Sequence, residues 1–188
     1  MKRADEILNH YSSIWSSFWH GSAVAKRWES GPVRELPASF CVLEFSPMAR
    51  NLWTYATCGM SHATDEVSIE LHLLSPSQTD QHVELLTAIS HYHRTKMPLN
   101  FGHTVDFGRP WLPGSMCEFG LISLPYLDGP KLENLRPSEG EQLIRCLWLL
   151  SITKAERDFK IQFGMEALER KLEAANFNYA DPRRLSVV

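Results

Sequence analysis

The chain has 188 residues, 44% of them hydrophobic and 22% charged, with a formal net charge of -3. This size and composition exclude a disordered chain, and a domain this long buries roughly 70% of its unfolded surface without help from a metal or disulfide. The mild acidity predicts no strong electrostatic pull toward nucleic acid, which usually needs a concentrated basic face, and no stretch reaches the roughly 20 apolar residues that cross a bilayer.

The N-terminal element reads as a helix. Ile7, Tyr11, Ile14, Trp15 and Phe18 share one stripe, Asp5 and Glu6 sit in the first turn where the helix dipole favours acids, and Gly21 ends it. The polar residues that follow the basic start exclude a secretory signal. Three strands are expected next, over 39–45, 52–58 and 67–74. In the third, Val67, Ile69, Leu71 and Leu73 alternate with Ser68, Glu70 and His72, which predicts one face on the core and one toward solvent. After Ser75-Pro76-Ser77 a helix is expected over 80–94, with Val83, Leu86, Ile89 and Tyr92 or His93 on its apolar stripe and Pro98 beyond its end. A strand over 101–107 leads to Gly108-Arg109-Pro110-Trp111-Leu112-Pro113-Gly114-Ser115, whose two prolines and two glycines predict an exposed loop. Further strands are expected over 118–126 and 143–152, the second nearly all apolar and therefore central, with a polar connection over 128–140. Thr153 and Glu156 then form a capping box opening a helix. Its stripe runs through Ala155, Phe159 and Phe163 and continues past Gly164 with Met165, Leu168 and Leu172. Glu156 with Lys160, and Glu166 with Arg170, have the spacing of helix-surface ion pairs. The sum is one α+β domain, a mixed β-sheet of about five or six strands packed by N-terminal, central and C-terminal helices.

Several motifs point toward chemistry but lack its context. Gly59-Met60-Ser61-His62-Ala63 is similar to a nucleophile elbow, yet a strand follows it where the elbow requires a helix. A small hydrolase or metal-dependent enzyme built on Ser61 and His62 is the catalytic alternative. Asp106-Phe107-Gly108 copies a kinase triplet without the other kinase motifs. His91 and His93 lie two apart on a helix and face away from each other, and no HExxH is present. Glu44 and Glu70 converge only if their strands are adjacent. Cys41, Cys58, Cys117 and Cys146 form no CxxC pair and read as buried thiols of a cytoplasmic protein. Arg183-Arg184-Leu185-Ser186 has the form of a kinase site and Ser186-Val187-Val188 that of a PDZ ligand, but an apolar tail or final strand is the plainer reading. The expectation is no cofactor and no metal.

The order of the segments carries more than any one motif. Asn51-Leu52-Trp53-Thr54-Tyr55-Ala56-Thr57-Cys58-Gly59-Met60-Ser61 resembles the signature strand and turn of the Suppressor of fused domain family. Ser68 to Leu74, centred on Glu70-Leu71, resembles the strand after it. Val83 to His93 is similar to the family helix, and Gly102-His103 to the turn that follows. Cys146 to Glu156 resembles the apolar strand leading into a capped helix, and Asn178 to Arg184 the segment with Asp181, Arg183 and Arg184.

That resemblance implies a family core over 39–185 in one domain of the bacterial stand-alone kind; the helical segment over 1–38 that precedes it rests on its own periodicity. The eukaryotic regulator carries a second domain after this region and grips an extended peptide of zinc-finger transcription factors between the two. Bacterial members are associated with polymorphic toxin systems as immunity proteins. The resemblance therefore implies a non-catalytic domain that binds another protein, a toxin or a regulatory protein, and no nucleic acid, membrane or small-molecule substrate. A housekeeping or stress protein with an unrelated binding role is the remaining alternative. Trp53, Tyr55, Gly59, Ser61, Glu70, Gly102, His103, Asp181, Arg183 and Arg184 are the motif residues. Trp111, and Tyr126 with Asp128, are candidate anchors, because buried aromatics dominate many interfaces.

Overall fold

The computed structural model describes residues 2–15, 23–31, 33–47, 50–138 and 142–188. Phe18, Gly21 and Gly140 lie outside the described residues. In chain order the elements are α1 Lys2–Trp15, β1 Val24–Lys26, β2 Cys41–Phe45, β3 Trp53–Cys58, β4 Ser68–Ser75, α2 Gln81–Thr95, β5 Thr104–Asp106, β6 Cys117–Ser123, α3 Pro130–Glu133, β7 Asn134–Leu135, β8 Ile144–Thr153, α4 Lys154–Phe163 and α5 Met165–Ala174. Among the described residues the strands of the first unit include both antiparallel and parallel neighbours, and the helices accompany the strands in an α+β fold. No helix among the described residues is long and apolar enough to cross a membrane.

The described chain packs as two compact units, Met1–Phe101 with Leu124–Trp148, and Gly102–Ser123 with Leu149–Val188. In the first unit the strands hydrogen-bond in the order β1-β2-β3-β4-β8. Neighbours from β1 to β4 are antiparallel, while β4 and the first half of β8 run parallel, with Leu71 opposite Leu147. Register fixes which side chains share a face. Leu43, Ala56 and His72 align across β2, β3 and β4, and Glu44, Tyr55 and Leu73 align on the opposite face. Glu70 shares the His72 face, so Glu44 and Glu70 point to opposite sides and do not form a carboxylate pair.

Helix α1 covers the first of these faces, as its stripe predicts. Ile7 and Tyr11 are buried against Cys41, Leu43, Phe45, Ala56 and Cys58. Trp15 stacks on Tyr11 at 4.7 Å and meets Phe45 and His72 edge-on at 5.2 and 5.3 Å. Tyr55 points the other way and meets His82 of α2 at 5.1 Å. Covering both faces buries all eight residues of β4. The solvent face expected from its alternation is therefore absent; Ser68, Glu70 and His72 lie under α1 and the turn after β3. Two short strands escape sequence reading. Three-residue β1 lies inside the segment expected to be helical, and two-residue β7 lies in the polar connection.

In the second unit β5 pairs with β6 antiparallel, Thr104 opposite Leu121. Gly120 allows close packing here, because an added Cβ would fall 2.7 Å from the Phe107 ring and 2.8 Å from Leu149. The loop 108–115 corrects the expectation of full exposure. Trp111 and Leu112 are buried, with Trp111 edge-on to Phe107 at 5.2 Å, and the buried Ser115 hydroxyl donates to the Pro182 carbonyl. Helix α4 also departs from its predicted stripe: Ala155 and Phe163 are exposed, and Glu156 is its buried residue. Gly164 separates α4 from α5, where Leu168 and Leu172 are buried as expected. The tail 183–188 is docked without forming a strand.

Candidate functional site

The turn after β3 is where the motif residues converge. Gly59 leaves the strand at φ +96°, a left-handed conformation open to glycine and strained for other residues. That turn aims three successive amides inward at Glu70, which is fully buried on the neighbouring strand. The amides of Gly59, Met60 and Ser61 donate to its carboxylate at 3.2, 3.3 and 2.9 Å. The Ser61 hydroxyl donates at 2.7 Å and the Thr57 hydroxyl at 2.6 Å. Thr57 Oγ1 also accepts the Leu71 amide at 2.8 Å, so its side chain bridges β3 and β4. None of the five donors is a cation. Burial pushes the Glu70 carboxyl above its ordinary pKa, and the hydrogen bonds from Thr57 and Ser61 resist that rise.

This geometry removes the pairing a serine hydrolase needs. Ser61 is buried and donates to Glu70, whereas the exposed His62 ring sits 2.9 Å from Thr64 Oγ1. Ser61 and His62 are not nucleophile and base. Beside the cradle, Arg94 forms a charge-assisted fork with Asp65, and His93 accepts the Leu99 amide at 2.8 Å. Burial holds His93, His72 and His82 down at about 4.

A second buried carboxylate, Glu156, organises the other unit. Its capping box with Thr153 is present as predicted, the Thr153 amide donating to Glu156 Oε2 at 2.8 Å. The expected partner Lys160 is replaced by Arg184, which donates to both carboxylate oxygens at 2.6 and 2.9 Å. Arg184 also donates to the Ser151 carbonyl at 3.0 Å and lies over the Phe177 ring at 4.9 Å. The Val187 amide adds a bond to Glu156 at 3.0 Å, which fastens the tail. Burial pushes Glu156 up, but Arg184 and the Thr153 and Val187 amides outweigh it and leave the carboxyl below its ordinary value.

The other sequence-derived residues scatter. Trp53 is half-buried at the start of β3, and Tyr55 is fully buried with its hydroxyl accepting the Thr79 amide at 2.9 Å. Gly102 and His103 form a turn closed by Gly102 N–H to Ile122 O at 2.8 Å and Ile122 N–H to His103 O at 2.9 Å. The Asp181 carboxylate accepts the Arg183 amide at 2.9 Å, and exposed Arg183 reaches the Pro113 carbonyl at 3.3 Å. Asp128 accepts from the Trp15 indole at 3.2 Å and Arg50 at 2.9 Å. Arg50 also donates to the Leu127 carbonyl at 2.6 Å. These bonds pin a loop whose tip, Tyr126, is 59% exposed. Of the two candidate aromatic anchors, Tyr126 is on the surface and Trp111 is not. Sequence reading missed Thr57 and the Glu156–Arg184 pair, whose partners lie 13 and 28 residues apart. The signal for each was that both partners fall in family-like segments, Thr57 and Glu70 in one pair and Glu156 and Arg184 in another.

Comparisons with known proteins agree with this architecture. The family described as Suppressor of fused protein (SUFU) matches residues 37–185, which run through both units. A crystal structure of a Suppressor of fused homologue from Neisseria gonorrhoeae aligns with a TM-score of 0.84 at 31% identity, covering 99% of this chain and 97% of that one. The Sufu–Fu complex aligns at 0.70 with 14% identity, covering 99% and 92% of the two chains. Drosophila Suppressor of Fused also aligns at 0.70 with 14% identity, and this chain spans about half of it, 51%. A search of curated proteins gave no match. The family match and the Neisseria structure cover the same ground from sequence and from fold: the chain belongs to the Suppressor of fused family.

Proposed function

We propose that this chain is a non-catalytic protein-binding domain of about 39–185 with an N-terminal segment over 1–38, and that it sequesters one partner protein in the cytoplasm. The observation that carries the reading is the inward engagement of the buried polar residues. Ser61, Glu70, Glu156 and Arg184 bond to one another or to nearby backbone, which makes them parts of the scaffold. Family membership supports protein recognition, and one structure of this fold is the Sufu–Fu complex. The partner is a toxin, with the chain as its immunity protein, or a regulatory protein. Nucleic acid, membrane and small-molecule substrates have no part in the reading, and no cofactor is required.

Two surface features suit such a role. Strand β1 ends the strand order of the first unit, and an edge strand accepts a partner segment through main-chain hydrogen bonds. Tyr126 projects from a loop held by Asp128, Arg50 and Trp15, so little loop freedom is lost when it docks.

Co-expression with the products of neighbouring genes, followed by pull-down, tests the proposal. The expected result is one partner in a defined complex with a Kd on the order of nM, and relief of that partner's toxicity. Capture of a metabolic enzyme instead places the chain in the housekeeping class. Capture of none, with no toxicity relieved, contradicts the binding function.

A further inference from the structure

We propose that Cys41 and Cys58 form an oxidative modification site, a dithiol that a hydroperoxide converts into a cross-strand disulfide. Cys41 opens β2, Cys58 closes β3, and the register sets them directly opposite each other. Directly opposed residues of an antiparallel pair have Cα atoms about 4.5–5.5 Å apart, within the span of about 4.4–6.8 Å that disulfides bridge. Both side chains lie in the same packed cluster under α1. Cys146 has no such opposite number. It faces Glu70 in β4, so a whole strand separates it from Cys58.

Their surroundings make the two sulfurs unequal. The neighbouring Cys58 thiol lowers the Cys41 thiol pKa, with the nearby Arg27 charge assisting, while the Cys41 sulfur and burial raise that of Cys58. Cys41, at 8% exposure against 3% for Cys58, is also the nearer to solvent. Cys41 is therefore the attacking sulfur. Its thiolate attacks one peroxide oxygen, the O–O bond breaks, and the other oxygen leaves and takes up a proton; the peroxide is reduced and Cys41 becomes a sulfenic acid. The Cys58 sulfur then attacks the Cys41 sulfur, the S–O bond breaks, and the oxygen departs as water with the Cys58 proton. The product removes the bond from Cys58 Sγ to the Ala4 carbonyl, 3.5 Å in the reduced form, and fixes the residue before Gly59. Oxidation thus acts on the strand end that launches the Glu70 cradle.

The test treats the folded, reduced wild-type chain with hydrogen peroxide and maps non-reduced peptides by mass spectrometry. One bridge joining Cys41 to Cys58, reversed by dithiothreitol and formed at least about tenfold faster than oxidation of Cys117 or Cys146, is the expected result. Free thiols at both positions after treatment, or earlier oxidation of Cys117 or Cys146, overturn it. In Cys58→Ser, dimedone labels Cys41 if Cys41 attacks first; absence of that label overturns the assignment of the attacking sulfur.

Discussion

Glu70 and Glu156 are the same chemical group, each with no exposed surface, in the two units of one chain. Their surroundings answer burial differently. Glu70 is met by neutral donors supplied within 13 residues of chain, so the cradle is a local product of one turn and two strands. Glu156 is met by a guanidinium 28 residues away, together with its own helix cap. Neutral donors leave the carboxyl raised, whereas a cation brings it below its ordinary value. A local cradle stiffens a turn; a distant ion pair decides whether a tail is docked.

The largest expected effect falls on the second carboxylate. Arg184→Ala leaves a buried anion without its counter-charge, a change that costs about 3–5 kcal/mol. Urea denaturation measures the loss, and hydrogen exchange at 183–188 rises as the tail detaches. A loss under about 1 kcal/mol breaks the assignment of Arg184 as the tail's fastening.

Acid acts next, and on the first unit. His72, His82 and His93 are held at about 4 by burial, so the unfolded chain binds protons that the folded chain refuses. Their contribution is present above about pH 6.5 and is lost as pH falls toward 4, at up to roughly 3 kcal/mol per group. The denaturation midpoint against pH should drop through that window, and a flat profile there contradicts the burial of these rings.

The two carboxylates should also respond to pH with opposite slopes. Glu156 has a lowered folded pKa, so its contribution is present above the ordinary carboxylate range and lost as pH falls. Glu70 has a raised one, so its contribution is greatest in acid and lost as pH rises. Glu70→Gln, costing about 1–3 kcal/mol, should therefore cost most at low pH, and Glu156→Gln most at neutral pH. Parallel slopes would erase the distinction between them. Ser61→Ala is the smallest change: it removes one of five donors, costs about 1 kcal/mol and leaves the cradle's amides in place.

Sequence made the strands and the Thr153–Glu156 cap legible, because period-two alternation and capping chemistry act over a few residues. It also marked Gly59 to Ser61 as a sharp turn after a strand. It did not show that Ser61 faces inward, since the acceptor is set by strand register. The polar face of β4 was read as solvent-facing because its cover comes from α1, some 60 residues earlier in the chain. Trp111 was read as exposed because prolines and glycines mark turns without saying what packs beneath them. Glu156 was assigned to Lys160 by helical spacing; the tail brings Arg184 to it instead. Local rules located the polar residues, and tertiary contacts chose their partners.

The division between an internal polar scaffold and an external binding surface is tested most directly by titration calorimetry with the partner recovered by co-expression. Tyr126→Ala, at the exposed loop tip, should weaken that partner by roughly 10- to 100-fold, while Ser61→Ala stays within about threefold of wild type. Loss of binding in Ser61→Ala with Tyr126→Ala unaffected would contradict the account and move function back to the turn.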